Sequence, residues 1–350
     1  MTFDLRRGTN ISHWLSQSTR RGQERKDWFQ EVDVMRIADM GFDHVRLPFD
    51  EEQLWDEQGN LDPESLDLME AAIDWCERAD LRIVLDLHIL RSHHFIHTEE
   101  PPLFTDPEEA QRFAGLWRDI SDRMKQRPND RVAYELLNES VAEDSDDWNR
   151  VSRTAYDAIR SLEPERTVVL GSNRWNSPDT FDQLEVPADD PNLILTFHFY
   201  KPSVVTHYTA PWTPIGRYDG PIRYPGALVP QDRVDEVRAV IAQKGRDRNL
   251  SEAEIERRVN ETLDQYDRAA MIRDISEPLA VREDTGLPLY CGEFGCYQRC
   301  PQDIRAAWYK DIISVFGRFN IAWANWDYKG GFGIINPEGE DTGIAKFLLA

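Results

Sequence analysis

Short apolar or β-branched runs alternate along this chain with longer charged stretches. The runs are GTNIS (8–12), HVRLP (44–48), RIVLDLH (82–88), VAYELLNE (132–139), TVVLGS (167–172), LILTFHFY (193–200), PLYCGEF (288–294) and IAWANWDY (321–328). Between most of them apolar residues recur every three or four positions, as in DLMEAAIDWCERADL and RFAGLWRDISDRMKQ, which is the period of an amphipathic helix. Near-continuous apolar strands separated by helices predict a parallel sheet buried on both faces. Eight such units in 350 residues predict an α/β chain folded as a closed (β/α)8 TIM barrel. An open doubly wound sheet would be expected to carry a glycine-rich phosphate turn after its first strand, and GTNISHW is not one.

One interval is too long for a simple crossover. Residues 201–287 separate the sixth run from the seventh, whereas ordinary connections span a few residues. The first part, KPSVVTHYTAPWTPIGRYDGPIRYPGALVP, is rich in Pro, Gly and aromatics and reads as a long loop. The remainder reads as two or three charged helices broken near Gly245 and Asn249, with Ser251 as a helix N-cap. This is an insertion between strands 6 and 7 together with the sixth barrel helix. The expected organisation is one catalytic domain over 1–350.

Composition narrows the function classes. Eleven Trp, 15 Phe and 11 Tyr within a 40% hydrophobic chain fill a large core, which argues against disorder. Lys plus Arg number 41 against 64 Asp plus Glu, a net charge of −23. That charge argues against nucleic acid and anionic membranes as partners and is compatible with a neutral substrate and a monomer. No apolar run is long enough to span a bilayer, and MTFDLRRGTNISHW has no signal-peptide pattern. The expectation is a cytoplasmic protein, or a secreted one whose leader has been removed. Four cysteines make no disulfide framework; Cys296 and Cys300 are expected as reduced thiols, with a bridge across CYQRC as the alternative.

The chemistry lies at the strand ends, where a closed (β/α)8 barrel builds its active site. Arg46 lies near the end of strand two and His88 ends strand three. Strand four supplies Asn138 and Glu139, strand six His198 and Tyr200, strand seven Glu293 and strand eight Trp326. Each alone reads equally as a satisfied polar residue near a strand terminus. Together they place two carboxylates, two histidines, an arginine and an aromatic at one mouth.

This ordered set resembles the family 5 glycoside hydrolases, cellulase-like enzymes with catalytic glutamates on strands four and seven. The resemblance runs in order over nearly the whole chain, with one departure: Ser140 stands where the family usually has proline after Asn-Glu. It implies a retaining mechanism in which Glu293 is the nucleophile and Glu139 the acid/base. Arg46 would keep Glu293 ionised, and Tyr200 would donate to it. His198 would orient Glu139. Asn138 and His88 would bind sugar hydroxyls, and Trp326 would face the sugar ring. The family needs no cofactor and no metal.

HILRSHHFIH clusters His88, His93, His94 and His97 after strand three and invites a metal-site reading. Within the loop no cysteine lies close by and no acid follows until Glu99, so the loop is expected to shape sugar subsites through His93 and His94. Trp14, Trp175 and Trp212, after strands one, five and six, are candidate stacking platforms. The expected activity is an endo-β-1,4-glucanase acting on a β-linked oligo- or polysaccharide. β-Mannanase and exo- or endo-β-1,3-glucanase are alternatives with the same catalytic set. A carbohydrate-binding barrel without catalysis is a more remote one.

Overall fold

The computed structural model describes residues 3–96, 99–247 and 250–349. The chain forms two compact units. One comprises Met1–His198, Glu277–Glu293 and Ile321–Tyr328; the other comprises Phe199–Ser276, Phe294–Asn320 and Lys329–Ala350.

The first unit is organised by a closed barrel of eight strands: β1 Arg7–Asn10, β2 His44–Asp50, β3 Arg82–Ile89, β4 Val132–Glu135, β5 Val168–Gly171, β6 Leu193–Phe199, β7 Leu289–Phe294 and β8 Ala322–Asn325. Their order around the barrel is β1-β8-β7-β6-β5-β4-β3-β2. Neighbours from β1 to β6, and β1 with β8, pair in parallel. All eight apolar runs therefore form the strands expected of them. The fourth is shorter than its sequence suggests, ending at Glu135 rather than 139.

Helices between these strands start where the sequence supplies caps. Asp62, Asp106 and Asp144 each accept backbone N–H bonds at the head of Pro63–Arg78, Pro107–Met124 and Ser145–Leu162, and proline at N1 costs no hydrogen bond there. Helix Pro107–Met124 buries Phe113, Leu116, Trp117 and Ile120 on one stripe, the face the three-and-four spacing predicts.

The period of two along each strand decides what enters the barrel. Val84, Ala133, Val169, Ile194, Tyr290 and Ala324 form a closed apolar cluster with Leu5. Two residues further along their strands lie Asp86, Glu135, Thr196 and Trp326. The barrel is thus apolar in one layer and polar in the next. Gly292 keeps the polar layer open: a Cβ there would stand 2.8 Å from Thr196 Oγ1 and 3.4 Å from His198 Nε2.

The second unit contains the inserted segment. Helices Val234–Asp247, Glu252–Leu263 and Arg268–Asp274 lie within that segment, and Ser251 caps the second by accepting from Glu254 N. Gly245 breaks nothing, since the helix continues through it to Asp247; Asn249, the other expected break, lies outside the described residues. The Pro/Gly-rich stretch is not structureless: Gly226–Ala227 pairs antiparallel with Gln265–Tyr266. Cys296 and Cys300 belong to this unit; both are buried and carry free thiols.

Candidate active site

Arg46 is the hub of the polar layer. Facing inward from β2 and fully buried, it spends its guanidinium on five residues. Nε and Nη2 donate to the two oxygens of Glu135 at 2.7 and 2.9 Å. Nη1 donates to Glu293 Oε1 at 2.7 Å and to Asn10 Oδ1 at 2.9 Å. Nη2 also reaches Asn138 Oδ1 at 3.0 Å and lies 3.1 Å from Asp86 Oδ2. A planar fork suits such a site because each N–H has a fixed direction.

Glu139 lies four residues past the end of β4, with φ at +46°. A side chain in that left-handed region costs about 1–3 kcal/mol, a strain typical of functional positions. The turn is held from the segment after β5: Trp175 N donates to Ser140 O at 3.0 Å, and Asn173 bonds both the N–H and the carbonyl of Ala142. Ser140, in the place of the usual proline, is buried inside this junction. His198 Nδ1 sits 3.0 Å from Glu139 Oε1 and 3.6 Å from Glu293 Oε2. On its other side Asn176 Nδ2 faces His198 Nε2 at 3.5 Å, which assigns the ring proton to Nδ1. One carboxylate oxygen from each glutamate and the histidine nitrogen all lie within 4.8 Å of one another.

The two glutamates differ in surroundings. Burial, then the charge of Glu293, pushes the Glu139 carboxyl well above the usual range. Burial raises Glu293 as well, but Arg46 opposes it through direct contact. Of the two, Glu139 therefore favours the proton and Glu293 the charge. Burial lowers His198 well below its ordinary value and takes His88 down to about 3, so both rings are neutral at ordinary pH.

His88 stacks on Trp326, with rings 5.6 Å apart and 6° from parallel. Its Nδ1 is fixed by Asp86 Oδ2 at 2.7 Å, and its Nε2 faces Gln17 Nε2 at 3.4 Å. Asn138 Oδ1 is taken by Arg46, while its buried Nδ2 finds no partner among the described residues. Six of the expected residues, Arg46, His88, Asn138, Glu139, His198 and Glu293, are thus joined through hydrogen bonds and close ionic contacts, His198 approaching Glu293 at 3.6 Å and Asp86 linking His88 to Arg46, with Trp326 stacked on His88. Tyr200, just past β6, packs edge-on against His207 and Phe332.

Two subsite expectations are corrected. Trp14 is 0% exposed: its Nε1 donates to Arg25 O at 2.8 Å and its ring packs on Phe29 and Trp75, so it belongs to the core. His93 is 1% exposed and packs edge-on against Phe104, which removes it from any sugar surface. His94 is partly exposed beside Phe95, and His97 lies outside the described residues. Trp175 and Trp212 keep 40% and 44% of their surface exposed, and Trp175 is pinned through Nε1 to Phe95 O at 2.8 Å. Among the described residues the histidines after β3 form no metal-ligand group; the set with that spacing is Glu139, His198 and Glu293. Sequence reasoning missed Asn10, Asp86 and Glu135. Two of them had a signal, an acid inside an apolar strand: VLDLH and VAYELL.

The sequence profile of the family described as cellulase (glycosyl hydrolase family 5) matches residues 8–331. Endoglucanase C of Acetivibrio thermocellus is 31% identical over 326 residues, covering 92% of this chain and 90% of its own. Cellodextrinase A of Ruminococcus flavefaciens is 30% identical over 318 residues, 90% and 83% of the two chains. Among solved structures, Thermotoga maritima Cel5A, a mutant form in complex with cellobiose, superposes with a TM-score of 0.74 at 21% identity, covering 99% of this chain and 97% of that one.

Proposed function

The chain belongs to glycosyl hydrolase family 5 and is a glycoside hydrolase; from that premise we propose that it is a retaining endo-β-1,4-glucanase and that residues 1–350 act as a single catalytic domain. The observation that carries the retaining mechanism is the approach of Glu139 and Glu293 to within 4.8 Å. Retaining pairs stand about 5–5.5 Å apart, whereas an inverting pair leaves room for water at roughly 6.5–9.5 Å.

In this mechanism Glu293 attacks the anomeric carbon. The glycosidic C–O bond breaks, and Glu139 gives its proton to the departing oxygen. His198 Nδ1–H donates to Glu139 Oε1, which leaves Oε2 to carry that proton. Glu139, now a carboxylate, takes a proton from water. The water oxygen attacks the same carbon and frees Glu293. Arg46 stabilises Glu293 whenever it bears charge. Asn138 Nδ2, a donor without a partner among the described residues, bonds the sugar 2-hydroxyl. His88, its tautomer set by Asp86, bonds another hydroxyl, and Trp326 faces the ring.

The substrate is proposed from the relatives: one 31% identical is named an endoglucanase. A second, 30% identical, is named a cellodextrinase and supports short cello-oligosaccharides as the other reading. A panel of β-1,4-glucan, β-1,3-glucan, mannan and cello-oligosaccharides with products sized over time tests both. Endo action on β-1,4-glucan predicts an early fall in viscosity and a spread of oligomers. Turnover restricted to short cello-oligosaccharides selects the second reading, and preferential cleavage of mannan or β-1,3-glucan contradicts both.

A further inference from the structure

Glu135 takes no part in the bond-breaking sequence, yet it holds Arg46 through two hydrogen bonds, at 2.7 and 2.9 Å. A two-pronged contact with a carboxylate fixes both the plane and the rotation of a guanidinium. With that plane fixed, Nη1 is left to point at Asn10 Oδ1 and Glu293 Oε1. Arg46 and Glu135 are both fully buried, so water neither competes for these bonds nor screens them. Glu135 also divides the charge of Arg46. One cation faces three carboxylates, Asp86, Glu135 and Glu293, at 3.1 Å or less.

We propose that Glu135 is a positioning residue that aims Arg46 at Glu293 and, by taking a share of its charge, sets the ionisation of Glu293 and hence the low-pH limit of catalysis. This rests on Glu293 being the nucleophile of the mechanism above.

The groups facing this pair come from five strands and the turn after β4. Around Glu135 and Arg46 they are His44 from β2, Asp86 and His88 from β3, Glu139 from that turn, His198 from β6, and Glu293 with Tyr290 from β7; Asn10 of β1 is uncharged. Arg46 stays charged throughout. Removing the charge of Glu135 leaves more of the Arg46 charge to Glu293 and Asp86. The ionised form of Glu293 gains, its pKa falls, and the acid limb moves to lower pH. Burial raises the Glu135 carboxyl and Arg46 opposes it; the two-pronged contact at 2.7 and 2.9 Å favours the charged form.

The test is covalent trapping with 2,4-dinitrophenyl 2-deoxy-2-fluoro-β-cellobioside. Glu293 forms a bond to the anomeric carbon as dinitrophenolate leaves with the C–O electron pair. So good a leaving group needs no proton from Glu139, and the trapping rate against pH reads Glu293 alone. In Glu135→Gln the midpoint of the acid limb should fall by about half to one pH unit, with a slower plateau because the amide presents one acceptor where Arg46 needs two. In Glu135→Asp the charge stays and the reach shortens, so the plateau should drop with the limb near its wild-type position. If wild type traps at Glu293 and the Glu135→Gln limb coincides with it, the charge-sharing role is overturned. Should Glu135→Gln not fold, Glu135→Asp decides: an unchanged plateau overturns the positioning role. A wild type that never labels Glu293 overturns the nucleophile assignment and this inference with it.

Discussion

Trp14 and Trp175 carry the same indole in different settings. Trp14 is enclosed by Phe29 and Trp75, whereas Trp175 leaves two-fifths of its surface in solvent, held by one hydrogen bond to Phe95. Trp14→Ala should therefore cost about 3–5 kcal/mol of stability as a core cavity, seen as a large drop in denaturant midpoint. Trp175→Ala should cost about 1 kcal/mol or less. It should instead raise KM for longer cello-oligosaccharides roughly 2- to 10-fold, the worth of an aromatic contact of about 0.5–1.5 kcal/mol. Reversed effects would return Trp14 to the cleft and Trp175 to a packing role. The pair also marks a limit of reading residues from sequence. A position just after a strand says nothing of which way an indole turns, because its neighbours come from other segments. Glu135 went unread for a related reason. Its partner Arg46 lies 89 residues away, so a local window shows only an acid in an apolar run. The residues at strand ends were legible because barrel topology alone collects them at one mouth.

At the scale of elements, all eight strands and helices such as Pro63–Arg78 and Pro107–Met124 were legible from their period, and Ser251 was legible as a cap, since those signals are local. The turn after β4 was not. VAYELLNE looks like one continuous strand, but pairing stops at Glu135 and the chain reaches Glu139 in a left-handed conformation. That turn is specified by contacts from the segment after β5. The loop after β1 is anchored in a comparable way: Asp50, ending β2, accepts from Ser16 Oγ and Gln17 N, both at 2.7 Å. Burial pushes the Asp50 carboxyl up to about 7. A raised acid pKa means that the folded state binds more protons than the unfolded one between about pH 4 and 7, so this group makes stability fall as pH rises through that window. Asp50→Asn keeps the shape and removes the titration. Its melting temperature should vary less between pH 4.5 and 8 than that of wild type, with the gap closing at low pH. Parallel curves over the whole range would refute this.

The whole molecule carries −23 of net charge, and its many exposed ion pairs, such as Arg153 with Asp157, are each worth about 0–1 kcal/mol. Self-repulsion should outweigh them. Melting temperature is expected to rise as sodium chloride goes from about 10 mM to 0.5 M, and a steady fall would contradict that balance. Among the described residues no helix is long and apolar enough to cross a membrane. Turnover by the assembled site is most directly tested by azide rescue of two variants, Glu293→Gly and Glu139→Ala. Without Glu293, azide occupies the nucleophile's place and attacks a good aryl β-glycoside directly, giving the α-glycosyl azide. Without Glu139, the nucleophile still forms its glycosyl-enzyme and azide opens that from the other face, giving the β-glycosyl azide. Proton NMR of the two products distinguishes them. Opposite configurations in this order are the predicted result. The exchanged order would reverse the two roles, and near-normal polysaccharide cleavage by both variants would contradict the assignment of Glu139 and Glu293 as the catalytic pair.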